Sequence, residues 1–233
     1  MDTADLKSAQ ASHGADPFGV RAALKAAILA APQTDAPYRH WIVSDIFTPE
    51  AIAAMKALPR HPIDVKGVSG KRELHNDERH YFDQAAIAAH PVCKAVADAF
   101  QSPEIVRAFE AKTGAKLTGT YLRLEHAHDI DGFWLEPHTD LGVKMITLLC
   151  FLPDSPDQAD LGTDMYADAK TWVKRAPFEP GTALMFVPNT HTWHGWQKRP
   201  IKGVRSSLIM NYVTDEWRAR EQLSFPNAPV TAA

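Results

Sequence analysis

The chain has 233 residues, of which 45% are hydrophobic and 23% charged, with a formal net charge of −3. That balance fits a soluble globular protein and supplies no broad basic surface to neutralise phosphates, so nucleic acid is not an expected partner. The most apolar runs, such as 204–213, are too short to span a bilayer, and Cys93 and Cys150 belong to no CxxC or CxH pair.

The opening stretch, MDTADLKSAQASHGADPFG, is polar and begins acidic. It lacks the basic and apolar regions of a secretory leader, so a cytoplasmic location is expected, with residues 1–17 flexible. Residues 18–31 are alanine-rich and stop at Pro32, which predicts a short helix. HWIVSDIF at 40–47 reads as a strand. Thr48 then reads as an N-cap, with Pro49 at the first helical position and Glu50 against the helix dipole. The polar segment 60–83 predicts a loop with at most one strand. Residues 84–113 predict two helices, the second capped by Ser102, begun by Pro103 and ended by Gly114.

From about residue 115 the texture changes to short β-rich runs: KLTGTYLRLEHA, KMITLLCFLP, TDMYA, TALMFVP and VRSSLIMNYV. Pro, Gly, Asp and Asn punctuate them. No repeat or flexible linker divides the chain, so a single domain over 1–233 is expected, mainly β with N-terminal helices.

EPHTD at 136–140 and HTWHGW at 191–196 carry the chemistry. His138 and Asp140 are two apart, a spacing that points both side chains the same way on an extended strand. Two imidazoles and a carboxylate on one side of a metal leave its other positions open. The third ligand must come from a distant strand, and both His191 and His194 are candidates. GVRSS at 203–207 repeats the two-residue spacing with Arg205 and Ser207. Val204, Leu208, Ile209 and Met210 mark a buried strand, on which an arginine needs an anionic partner.

PHTD, LGTDMY, PGTALMFVP, TWHGW and GVRSSLIMNYV follow one another in that order. In this the chain resembles the Fe(II)/2-oxoglutarate-dependent oxygenases of the prolyl-hydroxylase-like branch. Their pattern of HxD, distal His and a later Arg falls on His138, Asp140, His194 and Arg205. The 11-residue step from His194 to Arg205 suits the pattern better than the 14 from His191. The resemblance implies a double-stranded β-helix, or jelly roll, with the catalytic roll at 118–215. It implies Fe(II), with 2-oxoglutarate and O2 as co-substrates and succinate and CO2 as co-products. It assigns Arg205, with Ser207, to the far carboxylate of 2-oxoglutarate, and Tyr121 is a further donor candidate. Thr163 in LGTDMY departs from a common Gly-Gly pair. Relatives that halogenate lack the carboxylate, so Asp140 favours hydroxylation, or a related desaturation or ring-forming oxidation.

The expected reading is thus a hydroxylase of a small polar substrate. The expectation leans on HAHDIDGFWLEP at 126–137, which places His126, His128, Asp129, Asp131 and Trp134 just before the HxD pair. Two alternatives stay open: a cupin-like zinc or manganese protein acting as hydrolase or isomerase, and a non-catalytic binding module on the same fold. Lys144 and Arg123 are equally readable as pocket-lining residues or rim salt bridges.

Overall fold

The computed structural model describes residues 16–62, 64–65, 70, 79–140 and 142–233. Residues 1–15 of the flexible segment expected at 1–17, and most of the loop expected at 60–83, lie outside the described residues.

Helix α1 (Val20–Ala30) ends two residues before Pro32, as its composition predicts. After β1 (Gln33–Thr34) and β2 (His40–Val43), α2 (Pro49–Lys56) starts where Thr48 caps it. The Thr48 hydroxyl accepts from the Ala51 N–H, an orphan donor of the first turn. β3 (His80–Tyr81) precedes three helices rather than two: α3 (Gln84–Ala89), α4 (Pro91–Gln101) and α5 (Pro103–Thr113). Pro91 divides the first pair, because proline is accepted at a helix start and not inside one. Ser102 stands at the N-cap of α5, but its hydroxyl donates back to the Ala99 carbonyl, so it closes α4 instead.

The strands that follow are β4 (Tyr121–Asp129), β5 (Leu135–His138), β6 (Lys144–Phe151), β7 (Asp164–Tyr166), β8 (Trp172–Arg175), β9 (Ala183–Phe186), β10 (His194–Trp196) and β11 (Arg205–Val213). Among the described residues they form two antiparallel sheets. The larger has the order β1-β2-β9-β6-β11-β4-β3, and the smaller β5-β10-β7-β8. The roll therefore reaches beyond 118–215, since β2 from the N-terminal third pairs with β9.

Alternation along the large sheet explains its apolar sequences. One face carries Leu122, Leu124, Ile146, Leu148, Leu208, Met210 and Tyr212, which pack against the helices. The other carries Leu149, Phe151, Leu184 and Phe186, which pack toward the smaller sheet. Central strands buried on both faces lose the polar half of the alternation, which is why SLIM and ITLLCF read as continuous runs. Each fully buried Leu or Phe contributes about 1.5–3 kcal/mol. Cys93 and Cys150 are both buried and free.

The same alternation corrects the reading of His126 and His128. They lie on β4 and are buried on the helix-facing side, away from the site that their place just before the HxD pair suggested. Burial lowers their pKa values to about 3 and about 4, so both are neutral at neutral pH.

Candidate metal centre

His138 ends β5 and His194 begins β10, and the two are direct register partners. Their ring centroids lie 4.3 Å apart. Asp140 sits just past the end of β5, in the connection to β6, rather than on the strand itself. Its carboxylate nevertheless meets both rings: Oδ1 is 3.9 Å from His138 Nε2, and Oδ2 is 3.7 Å from His194 Nε2. One ligand atom from each residue falls within 4.8 Å of the others, and this is the cluster among the described residues fit to hold a metal ion.

The donor set is prepared for a cation. His138 Nδ1 is 2.9 Å from the Glu136 carbonyl, and His194 Nδ1 is 3.0 Å from the Thr192 carbonyl. A carbonyl only accepts, so each Nδ1 carries the proton and each Nε2 keeps its lone pair toward Asp140. Burial and neighbouring His138 lower the His194 pKa to about 4, against the pull of Asp140, so the ring is neutral at neutral pH. Burial works to raise the Asp140 pKa. The Lys144 ammonium and the two imidazoles outweigh it and hold the carboxyl well below the usual range. Thr147 donates to its Oδ2 at 2.8 Å and Lys144 to its Oδ1 at 2.6 Å. Two imidazoles and one ionised carboxylate fit the facial triad of non-heme iron.

The smaller sheet is held in place beside this centre by two features the sequence does not advertise. Buried Asp164 on β7 accepts from Trp172 Nε1, Arg175 Nε, the Gln197 N–H and Arg199 Nη1, which ties β7, β8 and the end of β10 together. Gly195 lets β10 lie close on β5, where Pro137 is tolerated because β5 is an edge strand. A Cβ at Gly195 would fall 2.9 Å from the Leu135 carbonyl oxygen and 3.1 Å from the Glu136 oxygen and Pro137 nitrogen. Gly195→Ala should therefore push β10 off β5 and separate His194 from His138. A loss of at least roughly tenfold in Ni(II) affinity is expected by calorimetry, comparable to losing an outer-sphere partner. Unchanged affinity would show that the strands can part without disturbing the ligands.

The triad opens into a cavity of about 660 Å³. Arg205 and Ser207 line it from the start of β11, and Thr163 and Trp196 line it from the smaller sheet. Arg205 is buried, and Asp129 meets it: Nη1 donates to Asp129 Oδ2 at 2.6 Å and Nε donates to the Leu161 carbonyl at 2.7 Å. The guanidinium also lies 5.4 Å from the Phe178 ring centroid and 5.6 Å from that of Trp196. In the sequence Asp129 stands among the groups before the HxD pair on which the polar-substrate expectation leans. It is instead the buried cross-strand partner of Arg205.

Tyr121 is not brought to this site. It pairs with Val213 at the far end of β4 from Asp129, and Arg220 stacks on its ring at 3.9 Å. Tyr121 is not among the residues that line the cavity. His191 is exposed on a turn, its N–H bonded to Asn189 Oδ1. Trp134 covers Gly70 rather than the metal ligands, and Asp131 accepts from the Ile201 N–H. Thr163 takes its place without disturbing the strand. Gly162 before it is the residue the fold requires, since a Cβ there would meet the Ala176 oxygen at 1.7 Å. Arg123 and Lys144 both line the cavity, and both are ion-paired, to Glu125 and Asp140.

No protein-family model matches the chain, and no curated protein is similar to it in sequence. Among solved structures, the fold is similar to that of a Pseudomonas putida prolyl-4-hydroxylase, at 15% identity and a TM-score of 0.53, over 87% of this chain and 99% of that one. It is also similar to a Phytophthora capsici prolyl 4-hydroxylase, at 14% identity and a TM-score of 0.53, over 77% of this chain. This chain spans 60% of the length of the Phytophthora protein. With the sheet order and the facing sheets described above, these likenesses establish that the chain has the jelly-roll fold of the prolyl 4-hydroxylases.

Proposed function

We propose that the protein is an Fe(II)- and 2-oxoglutarate-dependent oxygenase that hydroxylates a small polar substrate and releases succinate and CO2. The observation that carries this reading is one cavity holding both a two-imidazole, one-carboxylate cluster and the buried guanidinium of Arg205. A zinc or manganese hydrolase on the same roll would have use for the first and none for the second.

His138, Asp140 and His194 would hold the iron, and iron bound there supplies the oxidising chemistry. The chain's own residues do the rest. Arg205 offers a planar, permanently charged donor to the far carboxylate of the co-substrate, with the Ser207 hydroxyl beside it. Phe133, Leu149, Phe151, Ile209 and Trp196 make the wall around them apolar and keep water out. The same cavity is also lined by Arg123, Glu125, Gln222 and Trp217, which supports a substrate bearing hydrogen-bonding groups rather than a long alkyl chain.

Two measurements test the reading. Anaerobic Fe(II) with 2-oxoglutarate should give a weak visible charge-transfer band. Oxygen-dependent succinate formation should then be stimulated by members of an amino-acid or sugar panel, and not by fatty acyl chains or oligonucleotides. Absence of the band sinks the oxygenase; stimulation only by an alkyl chain or an oligonucleotide sinks the substrate class.

A further inference from the structure

The cations of the cavity wall differ in what neutralises them. Arg205 pairs with Asp129, while Arg123 and Arg79 share Glu125. Neither Asp129 nor Glu125 belongs to the metal cluster. Lys144 pairs with Asp140 at 2.6 Å, and Asp140 does belong to it. A divalent ion held by Asp140 competes with the Lys144 ammonium for the same carboxylate charge and repels it directly. Loading the site thus strips Lys144, alone among these cations, of the charge that balances it. It leaves the ammonium facing the cavity beside the metal.

The backbone is shaped to put it there. Ile146 pairs with Tyr212, and both face the helix-side core. Regular alternation from Ile146 would send Lys144 to that same core. Lys144 pairs with Val213 instead, so Met145 is an extra residue in the ladder, and the register shifts between Tyr212 and Val213. This bulge turns Lys144 to the cavity face, while Met145 packs on the helix-side core.

We infer that Lys144 is a ligand-binding residue whose ammonium pairs, in the metal-loaded protein, with a carboxylate of a small ligand seated beside the metal. That carboxylate belongs either to the 2-oxo acid end of the co-substrate or to the substrate. The inference rests on the oxygenase reading above.

The test compares the full chain with its Lys144→Met variant, anaerobically, with Ni(II) in place of Fe(II). Ni(II) affinity of the variant should equal or exceed the wild type, because a competing cation is gone. A rise of at least about tenfold in the 2-oxoglutarate dissociation constant identifies the co-substrate as the carboxylate source. An unchanged 2-oxoglutarate constant, with the variant losing a small amino or hydroxy acid that the Ni(II)- and 2-oxoglutarate-saturated wild type binds in preference to its amide, identifies the substrate. No loss in either arm overturns the inference. So does a fall of more than tenfold in Ni(II) affinity, which would make Lys144 a positioning residue for Asp140. Failure of the wild type to bind Ni(II) and 2-oxoglutarate together is a different result: it sinks the oxygenase reading, and this inference with it.

Discussion

His194→Ala is expected to lose its metal, and His191→Ala to keep it. The two histidines stand three residues apart in HTWHGW, and nothing in their composition separates them. The fold does. His194 is only 4% exposed, sits opposite His138 across the β5–β10 pair, and has its Nδ1 proton held by the Thr192 carbonyl. His191 is exposed on the preceding turn, where among the described residues only its backbone is engaged. Loss of one of three ligands should cost more than the roughly 10–100-fold that follows loss of an outer-sphere partner. Ni(II) titration and metal content after dialysis measure it directly. Retention of metal by His194→Ala with loss in His191→Ala would reverse the ligand assignment and undo the geometry argued for β10.

Much of the metal centre was readable because its spacing is local. An HxD pair directs two donors one way over three residues, whether or not a strand continues through Asp140. The long central strands were readable too, since burial on both faces makes them continuous apolar runs. What stayed hidden depends on pairing across the chain. The strands that bring His138 to His194 are three and four residues long and contain Pro137 and Gly195, so neither shows a period. Asp129 meets Arg205 from 76 residues away, and only the β4–β11 register reveals it. The same register carries Tyr121 to the wrong end of the strand for the role considered for it. Lys144 was ambiguous for a further reason: a one-residue bulge decides which face it takes, and a bulge leaves no mark on hydrophobic periodicity.

Arg205→Ala should raise the apparent 2-oxoglutarate constant by at least about tenfold, and the reason it must be tested with a second substitution lies in Asp129. Losing one charge of a buried, hydrogen-bonded pair typically costs about 2–5 kcal/mol in binding, most of it from the partner left behind. Here the protein itself contains such a partner. Asp129 is fully buried and 2.6 Å from Arg205 Nη1, so the single variant takes a charged hydrogen-bond partner away from a carboxylate in the interior. A folding cost of about 3–5 kcal/mol is expected from that alone. Weak co-substrate binding by Arg205→Ala would then be open to a trivial cause. The Arg205→Met, Asp129→Asn double variant removes both charges and should recover most of the lost stability in chemical denaturation. It should not recover 2-oxoglutarate binding. Asp129→Asn alone gives the complementary case: it keeps the guanidinium and removes a competitor for it, so co-substrate affinity should hold or rise. A stable double variant that binds 2-oxoglutarate as tightly as the wild type would refute the role of Arg205 and reduce the Arg205–Asp129 pair to a brace between β4 and β11.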